Sequence, residues 1–404
     1  MTTRFHCDLH IHIGAASDGQ PVKVTASRDL TFANIAAECA HRKGIAVAGI
    51  VDCASPRVIA DIEQLVASGE LEELPDGGLR YRDVVTLIPG AEFETTEPDR
   101  GQSHHVSYFA TIGQLKDFST LLSQYVTNID LSSQACRMPA RDLLRICESV
   151  GGVFVTAHSF TPHKSVYGSC TRRLSRMFPD GALGSIAAVE LGLSADTLLA
   201  DRIGELASKT FVTNSDAHSL PRIGREYNTI EMHGASFAEV AMALRRERGR
   251  RVVANYGLDP RLGKYHRTVC EDCEWKALTD PPVLTCQSCG SLRVTVGVLD
   301  RIVQIQDWPE PQHPPHRPPY HYQVPLEFVP KVGPVTLNRL INQFGSEMTV
   351  LHEASADALR QTAGGKIADL ILLARAGELP LMPGGGGVYG RALLSAEELQ
   401  LKLL

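Results

Sequence analysis

Short apolar runs alternate with amphipathic segments over about the first 255 residues, and this alternation limits the folds open to the chain more than any other feature. The apolar runs predict buried strands at residues 44–52, 84–94, 104–111, 151–159, 186–193 and 210–219. Helical spacing of apolar residues predicts helices at 30–44 and 139–151, each of which ends at a glycine. Strands that alternate with helices predict an α/β domain built on a parallel sheet or barrel.

The chain has 404 residues, of which 43% are hydrophobic and 21% charged, as in globular proteins. Its net charge of −6 excludes a global positive field, so nucleic-acid binding would depend on local clusters. One such cluster is "LRRERGRR" (244–251), with five arginines in eight residues, although a solvated helix end is an equal interpretation. Because no long apolar run or signal-type N-terminus occurs, we predict a cytoplasmic protein without a membrane partner.

Side chains with metal-binding chemistry follow the predicted strands. In "DLHIHIG" (8–14), His10 and His12 share one face because strand side chains alternate, and "SDAH" repeats this spacing with Asp216 and His218. Imidazole and carboxylate ligands together suit zinc, manganese or iron, and several ions require bridging carboxylates. The further candidates at strand ends are Asp52, Glu92, His104 or His105, and His158. The sequence therefore predicts a multinuclear metal site.

The order of these motifs resembles the PHP (polymerase and histidinol phosphatase) family over about residues 4–255. The resemblance implies a distorted seven-stranded β/α barrel whose metal ions hydrolyse phosphate esters. It implies metal ligands at His10, His12, Glu92, His105, His158, Asp216 and His218, the last two being catalytic. Many family members have Asp-His after the second strand, whereas this chain has Asp52-Cys53. We predict that Asp52 is the ligand there and that Cys53 is buried.

Four of the ten cysteines are arranged as two CxxC pairs, with Cys270 and Cys273 followed by Cys286 and Cys289. Paired CxxC knuckles supply four thiolates in a tetrahedron, the geometry of a structural zinc ribbon. A disulfide interpretation would need an oxidising compartment. We predict one structural Zn²⁺ in this module.

Beyond the cysteines, the composition of the sequence changes twice. The segment 308–325 contains seven prolines, which predicts a polyproline-type connector. The following residues look like tandem helix-hairpin-helix motifs, with hairpins at Pro330–Gly333 and around Gly364–Lys366. Lys331, Gly333 and Lys366 are then candidates to contact DNA phosphates, while a small helical bundle with glycine turns is the alternative. The predicted units are a phosphoesterase domain (1–255), a zinc ribbon (256–307), a connector (308–325) and an all-α domain (326–404).

This order of modules resembles the endonuclease Q family over nearly the whole chain, in stretches such as "NSDAHSLPRIGREYN" (214–228) and "VPLEFVPKVGPVTLNRL" (324–340). The resemblance implies a repair nuclease that cuts double- or single-stranded DNA 5′ to hypoxanthine, uracil, xanthine and abasic sites. A metal-bound hydroxide would attack the phosphorus and the damaged base would be flipped out. The predicted DNA contacts in loops after ligand-bearing strands are Lys164, Tyr167, Arg222 and Arg225.

The cofactors expected with this activity are two or three divalent ions in the barrel, Zn²⁺, Mn²⁺ or Mg²⁺, besides the structural zinc. Nucleoid association and a sliding-clamp partner are further expectations. One alternative function is a phosphomonoesterase of the histidinol-phosphatase type, which has no obvious need for the zinc ribbon and hairpin tail. Another is a non-catalytic DNA-binding scaffold, for which the nearly complete ligand set is unnecessary.

Overall fold

The structure is a computed structural model and describes residues 2–394. The strands are β1 (Thr3–Ile11), β2 (Val47–Ile50), β3 (Leu71–Glu73), β4 (Leu79–Tyr81), β5 (Val85–Thr96), β6 (Gln102–Tyr108), β7 (Val153–Thr156), β8 (Ala188–Glu190), β9 (Thr210–Val212), β10 (Tyr227–Met232), β11 (Arg251–Gly257), β12 (Val269–Cys270), β13 (Val294–Thr295), β14 (Tyr320–Tyr322), β15 (Leu381–Met382) and β16 (Arg391–Ala392). The helices are α1 (Phe32–Glu38), α2 (Pro56–Ala67), α3 (Ile112–Ser123), α4 (Ala140–Ser149), α5 (Leu174–Met177), α6 (Thr197–Ala200), α7 (Phe237–Arg245), α8 (Val298–Ile305), α9 (Pro334–Phe344), α10 (Glu347–His352), α11 (Ala356–Ala363) and α12 (Gly365–Ala376).

The main sheet runs in the order β14-β11-β10-β1-β2-β5-β6-β7-β8-β9, and β3 and β4 form a hairpin against β5. Its two ends approach each other, since Nδ2–H of Asn255 on β11 donates to the carbonyl of Phe211 on β9 (3.2 Å). The hydroxyl of Thr213 likewise donates to the carbonyl of Tyr227 on β10 (3.1 Å). The sheet is thus curled into a half-barrel, and the predicted α/β class is confirmed. It is longer than seven strands because β10, β11 and β14 extend it beyond β1.

The predicted elements occur close to their expected positions. Each of the six predicted strands corresponds to an observed one: β2, β5, β6, β7, β8 and β9. The helix predicted at 139–151 is α4, and the one predicted at 30–44 is α1 followed by a wider turn that ends at Gly44. Gly44 has a φ of 75°, a left-handed conformation that suits glycine and stops the helix.

One hydrophobic core runs from the barrel into the C-terminal part of the chain. It includes Phe154 and Val189 of the sheet, Ile302 of α8, and Leu351 and Ile371 of the last helices. Because these side chains are fully or almost fully buried together, α8 and the tail helices are packed firmly on the barrel. The zinc module and the tail therefore occupy defined positions relative to the strand ends.

The proline-rich segment predicted to be a connector is docked on the barrel instead. Arg317 forms an ion pair with Asp201 (2.7 Å) and lies over the ring of Phe211 (3.4 Å). Nδ1 of His313 lies 2.6 Å from the same Asp201 carboxylate. Strand β14 then pairs with β11 at the edge of the sheet, the position that prolines permit. The predicted four-part division of the chain stays a proposal, and residues 395–404 of its last unit lie outside the described part.

The glycine-rich stretch near the C-terminus is held against the chain that leads into the zinc module. It joins β15 to β16, and the amides of Gly384 and Gly387 donate to the carbonyls of Arg261 (2.8 Å) and Lys264 (3.2 Å). Within residues 2–394, no helix combines the length and apolar character needed to cross a membrane.

Candidate metal centre and active site

The carboxyl ends of several strands bring the predicted ligands together. His10 and His12 leave the end of β1, and both are buried. The amide of His12 donates to the carbonyl of Ala217 (3.1 Å), which fixes the Asp216–His218 loop beside β1. Glu92 lies on β5 and His158 directly follows β7. The fold thus assembles residues that are up to 208 positions apart in the sequence.

The ligand-type atoms form three groups, in each of which all atoms lie within 4.8 Å of one another. The groups are His10–His12–Glu92, His12–Asp216–His218 and Glu92–His104–His158. Glu92 and His12 each belong to two groups, so a carboxylate and an imidazole connect all three. The two oxygens of Glu92 can serve two ions, as a cluster of two or three divalent ions requires, whereas Nε2 of His12 can bind only one. The geometry of the chain fits such a cluster.

The structure places His104, not the predicted His105, in the centre. Nδ1 of His104 lies 3.0 Å from Oε1 of Glu92, whereas His105 is fully buried and stacks on Phe154 with 5.1 Å between ring centroids. Burial lowers the pKa of His105 to about 3. The reason is strand alternation: across the β5–β6 pair, His104 faces Glu94, two residues from Glu92. With this register, strand alternation puts His104 on the face of Glu92 and His105 on the opposite face.

Asp52 is not among the ligand groups, so its predicted role is corrected as well. Its Oδ2 accepts hydrogen bonds from Nδ1–H of His12 (2.9 Å) and from the amide of Ile13 (2.7 Å), and its Oδ1 accepts one from Ser132. Both oxygens are therefore occupied, and the carboxylate orients His12 instead. Cys53 is fully buried, as predicted.

Glu190 is a residue that the sequence analysis missed. Its Oε2 accepts hydrogen bonds from Nδ1–H of His10 (3.0 Å) and from the amide of His158 (2.9 Å). Nε2 of His10 consequently points toward Glu92 (3.6 Å) and has no hydrogen-bond partner within residues 2–394, although it is buried. A buried ring nitrogen without a partner costs free energy, which a metal ion at that position would remove. The signal in the sequence was a carboxylate inside the otherwise apolar predicted strand 186–193, and the observed strand β8 ends at this residue.

The charges of the centre favour a cation. Burial by itself lowers the pKa of His10, but the carboxylates of Glu190, Glu92 and Asp216 raise it to about 10. Burial opposes ionisation of Glu92, yet His104 holds the pKa of that carboxyl well below its usual range. The same carboxylate field that keeps a proton on an imidazole stabilises a divalent ion in its place, so ion binding would release protons.

Two cavities flank the centre, and His158 and Asp216 line both. The larger, about 440 Å³, is also lined by Lys23 and Lys164. Nζ of Lys23 lies 3.2 Å from Glu92, and Lys164 is half-exposed at 2.7 Å from Glu94. The smaller cavity, about 190 Å³, is also lined by Lys264, Tyr265 and Tyr389. We call the larger the basic cavity, for its two lysines, and the smaller the aromatic cavity, for its two tyrosines; carboxylates of the centre line both.

The remaining predicted DNA contacts near the centre have different surroundings. Tyr167 is fully buried and donates to Glu205 (2.8 Å), so it supports the fold and cannot contact DNA. Arg225 donates to the carbonyl of Ser215 (2.7 Å) and thereby supports the loop that carries Asp216. Arg222 is partly exposed but pairs with Glu327 (3.0 Å) and lies over Phe328.

The two predicted hairpins of the tail meet at one exposed edge. Gly333 precedes α9 and Gly364, with a φ of 82°, precedes α12. Lys331 and Lys366 lie near each other, and the ammonium of Lys366 lowers the pKa of Lys331. Two helix N-termini and two lysines thus point to the same side, a pattern suited to phosphate.

The four cysteines of the CxxC pairs form a compact cluster. Sγ of Cys270 lies 3.7 Å from that of Cys289, and Sγ of Cys273 lies 3.6 Å from that of Cys286. Desolvation raises the pKa of Cys286, but the amides of Cys289 and Ser288 lower it to about 6, which favours the thiolate. The geometry and the donor set fit a zinc ion, as predicted.

A family profile and a relative from another organism match the sequence of this chain. The sequence profile of a family described as PHP-associated matches residues 198–248. The chain is 45% identical over 390 residues to the protein YqxK of Bacillus subtilis (strain 168), covering 96% of this chain and 99% of that protein.

Two solved structures match along the whole chain. One is the lesion-specific endonuclease PfuEndoQ from Pyrococcus furiosus, with a TM-score of 0.82 and 30% identity over 98% of this chain and 97% of that one. The other is endonuclease Q in complex with a 27-mer duplex substrate that has an abasic lesion at the active site, also with a TM-score of 0.82 and 30% identity, covering 98% of both chains.

Proposed function

Because this chain belongs to the endonuclease Q family, we propose that it is a DNA repair endonuclease that cleaves the strand 5′ to deaminated bases and abasic sites. The observation that carries the proposal is the set of three linked ligand groups, with the unpartnered Nε2 of His10, between a basic and an aromatic cavity. Hypoxanthine, uracil and xanthine are the proposed bases.

The chain's own residues would hold two or three divalent ions through the groups that share His12 and Glu92. When bound, such ions supply Lewis acidity toward the phosphate oxygens and the attacking water. Glu190 and Asp52 would fix the imidazoles of His10 and His12 in the orientation that presents Nε2. Mn²⁺, Mg²⁺ and Zn²⁺ are all compatible with this donor set.

Lys23 and Lys164 would bind the nonbridging oxygens of the scissile phosphate from the basic cavity. Water attacks phosphorus, the P–O3′ bond breaks and O3′ takes a proton, which leaves a 3′-hydroxyl upstream and a 5′-phosphate on the damaged nucleotide. We assign Asp216 and His218 to the catalytic centre because Asp216 borders both cavities and shares a ligand group with His218.

The aromatic cavity is suited to a nucleotide turned out of the helix. Tyr265 and Tyr389 offer stacking surfaces, and Nζ of Lys264 lies 5.1 Å and 5.5 Å from their ring centroids. Extruding a base costs a few kcal/mol, and less where pairing is weak or the base is absent. Recognition by ease of extrusion would allow one cavity to accept several lesions. The basic edge of the tail at Lys331, Gly333 and Lys366 would hold the flanking duplex backbone.

A cleavage assay tests the proposal. Labelled duplexes with one hypoxanthine, uracil or abasic site, and an undamaged control, are incubated with Mg²⁺ or Mn²⁺ and the protein or its Asp216→Ala variant. A nick immediately 5′ to the lesion, absent from the control duplex and from the variant, is expected. Release of phosphate from small phosphomonoesters without any nick would favour the phosphomonoesterase instead. The sliding-clamp partner and nucleoid association stay predictions.

A further inference from the structure

A groove of about 710 Å³ lies at the end of the barrel opposite the metal centre, and the proposed function does not use it. Five arginines line it, and no carboxylate side chain of residues 2–394 does; the arginines are Arg4, Arg246, Arg250, Arg251 and Arg317. Arg4 is near the start of β1 and His10 near its end, so the groove and the metal centre are about 20 Å apart along the strand. Three of the five arginines in the cluster seen in the sequence, Arg246, Arg250 and Arg251, thus line this groove.

Two of the arginines are held in place by carboxylates behind the groove. Arg250 pairs with Glu239 (2.7 Å), and Arg317 pairs with Asp201 (2.7 Å). These ion pairs neutralise the two charges and fix the groove wall. The net positive charge of the groove therefore depends on its other arginines.

Arg246 and Arg4 form no ion pair with a carboxylate of residues 2–394, although Arg4 lies opposite Glu231 across the β1–β10 pair. Arg246 donates to the hydroxyl of Thr210 and to the carbonyl of Ser208, both at 2.7 Å, so its partners are neutral. Arg4 is exposed and has no ion pair in that part of the chain. The groove therefore carries an excess of positive charge on a chain whose net charge is −6.

A third residue, Arg251, extends this positive field. It is 64% exposed while it pairs with Glu231 (3.3 Å), so its guanidinium is open to a second anion. His316 adds no positive charge to the groove, because burial lowers the pKa of its imidazole. The planar guanidinium fork of Arg251 matches two oxygens of one phosphate.

We propose that this groove binds the phosphodiester backbone of a second DNA segment while the first is at the metal centre. The groove is too large for one phosphate group, and its lining offers guanidinium groups without an aromatic platform for bases. The choice of DNA rather than an acidic protein segment rests on the proposed function. The protein then holds two DNA segments at once, at opposite ends of the barrel.

The test uses the full-length chain with Asp216→Ala, so that a bound lesion duplex stays intact. A donor-labelled lesion duplex is bound first, and energy transfer to an acceptor-labelled undamaged duplex is followed against salt. The double variant R4Q/R251Q is compared with R82Q/R145Q, which removes two exposed arginines paired with Glu70 (3.2 Å) and Asp142 (3.1 Å) elsewhere. We expect R4Q/R251Q to weaken binding of the second duplex about 10-fold and to lower the salt slope by about 2, with little change in the control.

Absence of energy transfer in the parent, or equal transfer in R4Q/R251Q, would overturn the proposal. Loss of the energy transfer on addition of dAMP would also overturn it, because the groove would then be assigned to free phosphate groups. Loss of the energy transfer on addition of polyglutamate at matched ionic strength would assign the groove to an acidic protein instead. The nicking assay on the chain with Asp216 intact reports the proposed function separately. A chain that binds the second duplex without nicking would retain this inference and lose the nuclease.

Discussion

Nδ1–H of His10 donates to Oε2 of Glu190 at 3.0 Å, and this bond directs the opposite ring nitrogen toward the metal centre. A carboxylate that orients an imidazole ligand fixes its tautomer and increases its basicity. Glu190 is thus a positioning residue whose removal would act through His10.

Glu190→Gln is expected to weaken metal binding in the barrel about 10- to 100-fold, because the amide is a poorer acceptor for the imidazole N–H. Titration of the metal-depleted chain with Mn²⁺ would measure this. Glu205→Gln is the matched control, since Glu205 also accepts buried hydrogen bonds but lies outside the ligand groups. Equal affinities for all three proteins would contradict the role of Glu190.

His104→Ala and His105→Ala should fail in different ways. His104→Ala removes a ligand-type side chain, so we expect loss of nicking with little change in the melting temperature. His105→Ala leaves a cavity beside Phe154, which should cost roughly 2–4 kcal/mol of stability while the centre stays complete. Nicking rates and urea unfolding of both variants distinguish the two roles. Loss of nicking in His105→Ala, with loss of stability in His104→Ala, would restore His105 as the ligand.

Cys273→Ser should remove one zinc ion per chain and leave the barrel ions bound, because the two clusters share no ligand. Metal analysis of the purified variant checks this. Cys170→Ser provides the control, since Cys170 is a free thiol outside the cluster. An unchanged zinc content in Cys273→Ser would show that the cysteines do not hold the ion.

Lys331→Glu combined with Lys366→Glu should weaken binding of duplex DNA and reduce the salt slope by about 2, since two phosphate contacts are lost. The control is Lys116→Glu, an exposed lysine that pairs with Glu63 on the barrel surface. Fluorescence anisotropy at several salt concentrations measures both effects. An unaltered slope in the double variant would favour the helical bundle without a DNA contact.

We expect the buried carboxyl of Glu226 to lower the free energy of unfolding at alkaline pH. Burial raises its pKa to about 8, whereas an unfolded glutamate titrates near about 4.3. Between these values the folded chain keeps a proton that the unfolded chain releases, so the free energy of unfolding falls as the pH rises through this window. The loss is on the order of a few kcal/mol and is complete above pH about 8.

Glu226→Gln should remove this pH dependence, because the amide does not ionise. Urea unfolding at pH 6 and pH 9 compares it with the parent and with Glu63→Gln, which replaces a half-exposed carboxylate. A parent chain that is equally stable at both pH values would contradict the buried, protonated state of Glu226.

The orientations of the Tyr167 and His105 side chains could not be predicted from the sequence. His105 is next to His104, and Tyr167 is nine residues after His158, but nearness in the chain does not determine which face of an element a side chain takes. Tyr167 stacks on Phe160 with 5.1 Å between ring centroids, and His105 stacks on Phe154. Packing of the core decided both orientations.

The sequence by itself determined the α/β class, the two CxxC pairs and most of the histidines and carboxylates of the centre, because strand periodicity, ligand chemistry and motif spacing are local properties. Only the tertiary structure decided that His104 enters the centre, that Asp52 and Glu190 support it, and that Arg4 meets Arg251 in a separate groove. Those relationships join residues up to 247 positions apart, and the curl of the sheet sets which of them meet.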